Sequence, residues 1–351
     1  MSLHNILAYA FVAPIAPLRT PFTCQAIGMH GGKGFGGGEA TRDPAPTYIN
    51  PNDPKGKQQA IHKAESFAEY LAKRGGGGGA MPSRPTSGRR PIVGGNWKCN
   101  PASPYDLPAL VANINACDTS SCDVFVCPSP LHVGIVYQSF NNGAYVAPQN
   151  CNFKGCGAFT GEMAVDQMEA MGIKWCLIGH SERRGEFGLP TPAESNALLA
   201  TKLAYILDKG LNCIFCIGEP LPIREKGIDA VMAECRAQLN DILPILRGLS
   251  DHSRVVIAYE PVWAIGTGVT ASPMQAQETH AGIRQYLASA VSPQLAANIR
   301  IQYGGSANAA NAPELSAQPD IDGFLVGGAS LKPEFAQIVA AIAAAKASAR
   351  F

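Results

Sequence analysis

Glu260 closes an apolar run, Val255-Val256-Ile257-Ala258-Tyr259, and is followed at once by Pro261-Val262-Trp263 and a segment bounded by Gly266 and Gly268. A run that is apolar on both faces reads as a buried parallel strand, so a charge just past it belongs on a rim that a ligand can reach. Taken alone, such a carboxylate is more often a solvated strand end. Its company changes the weighing. Asn96 and Lys98 end the run 92–97, and His180 with Ser181 and Glu182 follows the run 174–179. Gly304, Gly305 and Ser306 follow the run 299–303, and Gly327 and Gly328 follow the run 323–326. One at a time these are a solvated lysine, a histidine opening a helix and two tight glycine turns. Phosphate chemistry explains the glycines better, since they let backbone N–H groups approach an anion and a helix N-terminus behind them adds a favourable dipole. Together these positions supply a cation, an imidazole, a carboxylate and two sets of exposed backbone amides.

Something must bring them to one place. Short β-rich runs occur at 92–97, 123–127, 145–148, 174–179, 212–217, 254–259, 299–303 and 323–326, with helical segments such as 230–246 and 274–288 between them. Strand-helix alternation implies right-handed crossovers and a parallel sheet. Eight repeats in roughly 260 residues match a (β/α)₈ TIM barrel, an α/β fold. A doubly wound open sheet is the alternative, but no G-x-G-x-x-G follows the first strand. In a barrel the C-terminal strand ends converge on one mouth, and the residues singled out above stand at five of the eight.

The 351 residues carry a net charge of +1, which points to neither a nucleic-acid nor a membrane-surface partner. No run of 18 apolar residues exists to span a bilayer. Eleven cysteines are present, but Cys99, Cys127, Cys176, Cys213 and Cys216 lie in or beside apolar runs, where a free cysteine behaves as a small hydrophobe. Cys213 and Cys216 form a C-x-x-C whose members point to opposite faces of a strand, and no second ligand pair follows. Cys151 and Cys156, in a loop, are the pair to examine for oxidation. An odd total fits a reducing compartment.

Residues 1–88 differ in character from the barrel region, 89–351. Residues 1–38 contain no acid, residues 75–79 are five glycines, and prolines are scattered through 44–54. This is linker composition, expected to leave a largely disordered Gly/Pro-rich extension. One segment, about 54–74, has helical spacing at Ile61, Ala64, Ala68 and Leu71, and an isolated helix of that length is marginal in water. The extreme N-terminus lacks the leading positive charge of a secretory signal and is sparse in Arg and Ser for a transit peptide. Met81 offers an alternative start.

GGNWKCN (94–100), IGHSERR (178–184), AYEPVWAIGTG (258–268), QYGGS (302–306) and FLVGGASLKPEF (324–335) together resemble triosephosphate isomerases, over about residues 91–347. The resemblance implies interconversion of dihydroxyacetone phosphate and D-glyceraldehyde 3-phosphate through an enediolate, with no metal or organic cofactor. Glu260 matches the family's base and His180 its electrophile, kept neutral by the positive end of the helix that Ser181 and Glu182 open. Lys98 matches the fixed positive charge. These are the family's established roles, not deductions from spacing. Asn96, Lys98, Gly266, Ser306, Gly327 and Gly328 match substrate-binding positions, and residues 261–268 match a lid that keeps water from the intermediate. The resemblance further implies a homodimer formed through the loop containing Thr160, and a cytoplasmic location, with a plastid or mitochondrion as the alternative if the extension is a transit peptide. Two departures stand out: prolines in 219–227 and a Gly/Pro-rich stretch at 185–193. Rival readings are another phosphosugar barrel enzyme, or a vestigial barrel whose extension binds a partner.

Overall fold

The computed structural model describes residues 88–185, 193–266 and 270–348. The expected helix at 54–74, the glycine tracts, most of the stretch 185–193 and the far side of the lid lie outside the described residues. The elements run β1 (Ile92–Asn96), α1 (Leu107–Asn115), β2 (Asp123–Cys127), α2 (Pro130–Val136), β3 (Tyr145–Val146), α3 (Val165–Ala170) and β4 (Trp175–Ile178). They continue with α4 (Asn196–Asp208), β5 (Asn212–Ile217), α5 (Leu221–Arg224), α6 (Ile228–Asn240), α7 (Leu243–Gly248), β6 (Val255–Tyr259) and α8 (Pro273–Ala290). The last are α9 (Pro293–Asn298), β7 (Arg300–Tyr303), α10 (Ala312–Ser316), β8 (Gly323–Val326) and α11 (Phe335–Ser348).

All strand pairs are parallel, in the order β3-β2-β1-β8-β7-β6-β5-β4. The remaining seam, β3 to β4, has no strand ladder. One backbone bond bridges it, Leu177 N–H to Pro148 O at 2.8 Å, beside the stacked rings of Tyr145 and Trp175, 5.7 Å apart. The eight strands therefore form a barrel.

Its interior is filled by Ile92, Phe125, Leu177, Ile214, Cys216, Val256, Ala258 and Leu325, all buried. Gly94 lies opposite Phe125 in the β1–β2 register, and a Cβ there would come within 2.1 Å of the Phe125 ring. The absence of a side chain on β1 is thus what admits an aromatic one from β2. The other strand faces pack on the helices in a second, larger cluster that includes Val93, Val124, Ile257, Ile301 and Ile342. Cys213 belongs to that outer cluster and Cys216 to the interior, so the C-x-x-C cysteines face opposite ways as alternation requires.

Three local expectations change. The helical run 230–246 is two helices: α6 stops at Asn240, and Pro244 stands in the first turn of α7, where its missing N–H costs nothing. The prolines of 219–227 likewise open a helix, with Pro220 at the N-cap of α5 and Pro222 in its first turn. Cys99 is exposed and not a buried strand cysteine, because Lys98, with φ of 52°, turns the chain off β1 just before it. Cys151 is buried, Cys156 is exposed, and both are free thiols. Among the described residues no helix is long and apolar enough to cross a membrane.

Candidate active site

One cavity of about 450 Å³ opens at the C-terminal ends of the strands. Asn96, Lys98, His180, Glu260, Gly266, Ser306, Gly327 and Gly328, the eight positions singled out in the sequence, all line it. The barrel does the gathering, since these residues come from the ends of β1, β4, β6, β7 and β8.

At its base lies a carboxylate–imidazole pair. Glu260 is 2% exposed, with Oε1 2.9 Å from His180 Nε2 and Oε2 accepting the Ser181 N–H at 2.9 Å. His180 caps a 3-10 turn, Ser181–Arg183, and its Nδ1 accepts the Glu182 N–H at 3.2 Å. A ring nitrogen that accepts carries no proton, so the imidazole is neutral with its proton on Nε2, directed at Glu260. The turn is shorter than a full helix, yet it supplies the N–H that sets the tautomer. Close backbone approach seats Glu260: a Cβ on Gly304 would fall 2.9 Å from Glu260 Cγ.

Lys98 is held from three sides. Its Nζ pairs with Glu182 Oε1 at 2.9 Å, and its N–H donates to Asn96 Oδ1 at 3.0 Å. The side-chain amide of Gln149 donates to Lys98 O at 2.7 Å and to Cys127 O at 2.8 Å. A non-glycine residue at positive φ is strained. These bonds hold it in that conformation. Neither partner carries a sequence signal for this role: Glu182 stands only beside His180 at the expected helix start, and Gln149 lies 51 residues from Lys98.

The side of the expected lid is anchored by a residue with no sequence signal. Glu219, fully buried, accepts from Tyr259 Oη at 3.0 Å and from Trp263 Nε1 at 2.9 Å, while its backbone O accepts the Val262 N–H at 3.1 Å. Burial pushes its carboxyl up to about 7, against the two side-chain hydrogen bonds and the nearby Arg224 guanidinium, which pull it down. Trp263 lies in the 3-10 turn Val262–Ala264, which follows Pro261 and leads to Gly266 at φ of 69°. Ser306 Oγ donates to Ala264 O at 2.6 Å, so the hinge also touches the glycine-rich turn after β7.

Chemically, the cavity joins a buried carboxylate, a neutral imidazole donor and a paired lysine to two turns, at 304–306 and 327–328, rich in backbone N–H groups. The sequence profile of the family described as triosephosphate isomerase matches residues 91–342. A "Triosephosphate isomerase" of Coprinopsis cinerea is 49% identical over 249 residues, 71% of this chain and 96% of the relative. The "Triosephosphate isomerase, cytosolic" of Oryza sativa subsp. japonica is 46% identical over 257 residues, 72% of this chain and 96% of the relative. That of Neurospora crassa is 44% identical over 253 residues, 72% of this chain and 98% of the relative. With this likeness spanning nearly the whole of each relative, and the eight singled-out positions gathered in one cavity, the chain belongs to the triosephosphate isomerase family.

Proposed function

We propose that this protein interconverts dihydroxyacetone phosphate and D-glyceraldehyde 3-phosphate, moving one proton between adjacent carbons through an enediolate. The observation that carries the reading is the Glu260–His180 pair, 2.9 Å apart in a cavity whose other end is a glycine-rich anion cradle. Glu260 is the base: it takes the proton from the carbon beside the carbonyl and returns it to the neighbouring carbon. His180 Nε2–H is the electrophile, donating to each substrate oxygen in turn as charge develops there. Before substrate arrives, those two groups bond each other. A substrate oxygen therefore replaces Glu260 Oε1 as acceptor, and the freed carboxylate swings onto the carbon. Lys98, its charge oriented by Glu182, stabilises the enediolate and draws the phosphate, which the amides of Ser306, Gly327, Gly328 and Gly266 hold. Asn96 positions the substrate. Lid closure from the 261–264 hinge excludes water and keeps the intermediate from losing its phosphate.

The same reading includes a homodimer. A second cavity, of about 380 Å³, shares Asn96, Lys98 and His180 with the first and adds Cys99, Gln149 and Glu182. The loop 157–162 carries exposed Phe159 and Thr160, and α2 exposes Leu131 (86%) and Ile135 (56%). Insertion of the Thr160 loop of a second copy into this cavity buries both apolar surfaces and closes the lysine side of the active site. A cytosolic location accords with the rice relative's name, and the catalytic unit is residues 89–351.

The direct test is to supply D-glyceraldehyde 3-phosphate to the purified full chain and follow dihydroxyacetone phosphate with a coupled dehydrogenase. Rapid isomerisation is expected. Binding of triose phosphate without isomerisation would sink the reading in favour of a vestigial barrel.

A further inference from the structure

The proposed proton transfer leaves two charged side chains of the cavity unused, one of them a cation. Among the described residues that line it, the ionisable ones are Lys98, His180, Glu260, Lys332 and Glu334. Lys98 is committed to Glu182 at 2.9 Å, and His180 to Glu260 at 2.9 Å. Lys332 is different. Its side chain is 68% exposed, and its Nζ stands 3.9 Å from Glu334 Oε1, beyond hydrogen-bond range. Its backbone is fixed all the same: the Lys332 N–H donates to Ala329 O at 3.2 Å, closing the 3-10 turn Gly328–Leu331. That turn starts at the glycines assigned to the phosphate, so Lys332 presents an exposed ammonium one turn from the anion cradle.

From this placement we infer that Lys332 is a substrate-capturing residue. Its ammonium draws the dianionic phosphate of an approaching triose phosphate to the cavity mouth and passes it to the Gly327 and Gly328 amides. The inference rests on the isomerase reading and adds to it a residue that acts on association, not on the proton transfer. An exposed charge acts over about one Debye length, ~10 Å at 0.1 M ionic strength. The cavity mouth lies within that reach. Glu334, 32% exposed beside it, makes the balance sensitive. With Lys332 neutral, the rim presents Glu334 alone and repels a dianion.

The test compares the full-length protein with Lys332→Gln and Lys332→Arg at about 10 mM and about 300 mM ionic strength, low and high on the screening scale. At low ionic strength Lys332→Gln is expected to lower kcat/KM about 10-fold, the lower end of measured steering effects, with kcat moved far less. Lys332→Arg restores the wild-type value, and the gap narrows at high salt. An equal loss at both ionic strengths, or a matching fall in kcat, overturns the assignment and leaves Lys332 a structural residue. A second readout needs no turnover: stopped-flow tryptophan fluorescence on binding glycerol 3-phosphate, a phosphate ester with no carbonyl to isomerise. Its association rate must fall in Lys332→Gln with the same salt dependence; an unchanged rate overturns the assignment. Wild-type protein that binds this ester but fails to isomerise the triose overturns the isomerase reading, and the association rates then decide Lys332 alone.

Discussion

Glu260 sits where a charge is expensive, 2% exposed, and is kept by two donors, the Ser181 N–H and the His180 Nε2–H. Buried carboxylates persist only when their oxygens are satisfied. In the proposed mechanism, releasing the carboxylate to a substrate leaves both donors for the substrate to use. Glu260→Gln keeps the side chain's shape and removes its capacity to take a proton. Its kcat is expected to fall on the order of 10²–10⁴-fold, the usual contribution of a general base, while glycerol 3-phosphate still binds. A variant turning over like wild type in the coupled assay would remove Glu260 from the mechanism. Most of this residue-level picture was legible in the chain, because Glu260, His180 and Lys98 each stand within two residues of a strand's end. Gln149 and Glu182 were not legible as lysine supports. Their function consists of contacts with Lys98, 51 and 84 positions away.

At the scale of elements, the hinge of the proposed lid hangs on Glu219 at the end of β5. Three hydrogen bonds join it to the end of β6 and to the 261–264 turn. Because burial raises this carboxyl from 4.5 to about 7, the folded protein keeps a proton that the unfolded chain has already released across that window. Protons bound in excess by the native state mean that stability falls as pH rises, here between about 4.5 and about 7. The full effect is roughly 3 kcal/mol from the size of the shift, spread over that range. Glu219→Gln, which cannot ionise, is expected to lose less stability than wild type between pH 5 and pH 7.5, as measured by urea denaturation midpoints. Parallel losses in the two proteins would show that Glu219 does not titrate with folding. Nothing in the stretch around Glu219 signalled this role, since its donors Tyr259 and Trp263 arrive from the next strand, 40 and 44 residues on.

At the scale of the whole molecule, the active site and the proposed dimer surface share side chains. Lys98 and His180 line both cavities, so assembly and turnover should fail together. Leu131 and Ile135, 86% and 56% exposed and four residues apart on α2, put two large apolar side chains on one helix face, the start of an apolar patch and not a scattered single residue. Leu131→Glu is expected to shift the protein to monomers in sedimentation velocity at micromolar concentration and to lose turnover in parallel. A variant that stays dimeric, or monomers of full activity, would separate this surface from assembly. At the other end of the barrel, Arg89 enters the fold just before β1, with Nε 2.7 Å from Asp322 Oδ1. Asp322 also holds Arg284 at 2.7 Å, so the chain is tied to the base of β7 and β8 before the first strand begins. A protein lacking residues 1–80 keeps that tie and is expected to retain the turnover and midpoint of the full chain. A large loss of either would mean that the extension supports the barrel or its dimer.

What the chain determined by itself is what short-range physics can express. Eight two-sided apolar runs make eight buried strands, and glycines at 304–305 and 327–328 expose amides wherever those strands end. Prolines at 220, 222 and 244 open helices instead of excluding them, a local effect that the run 230–246 obscured and the backbone made plain. What only the tertiary structure decided depends on residues far apart in the chain. The β3–β4 seam closes through one backbone bond and a pair of stacked rings. Gly94 is required because Phe125 lies across from it. Lys98 is oriented and the hinge is anchored by partners dozens of residues away. Each of these is a meeting of side chains whose separation along the chain carries no signal, and the meeting takes place only when the barrel has brought its strand ends into one ring.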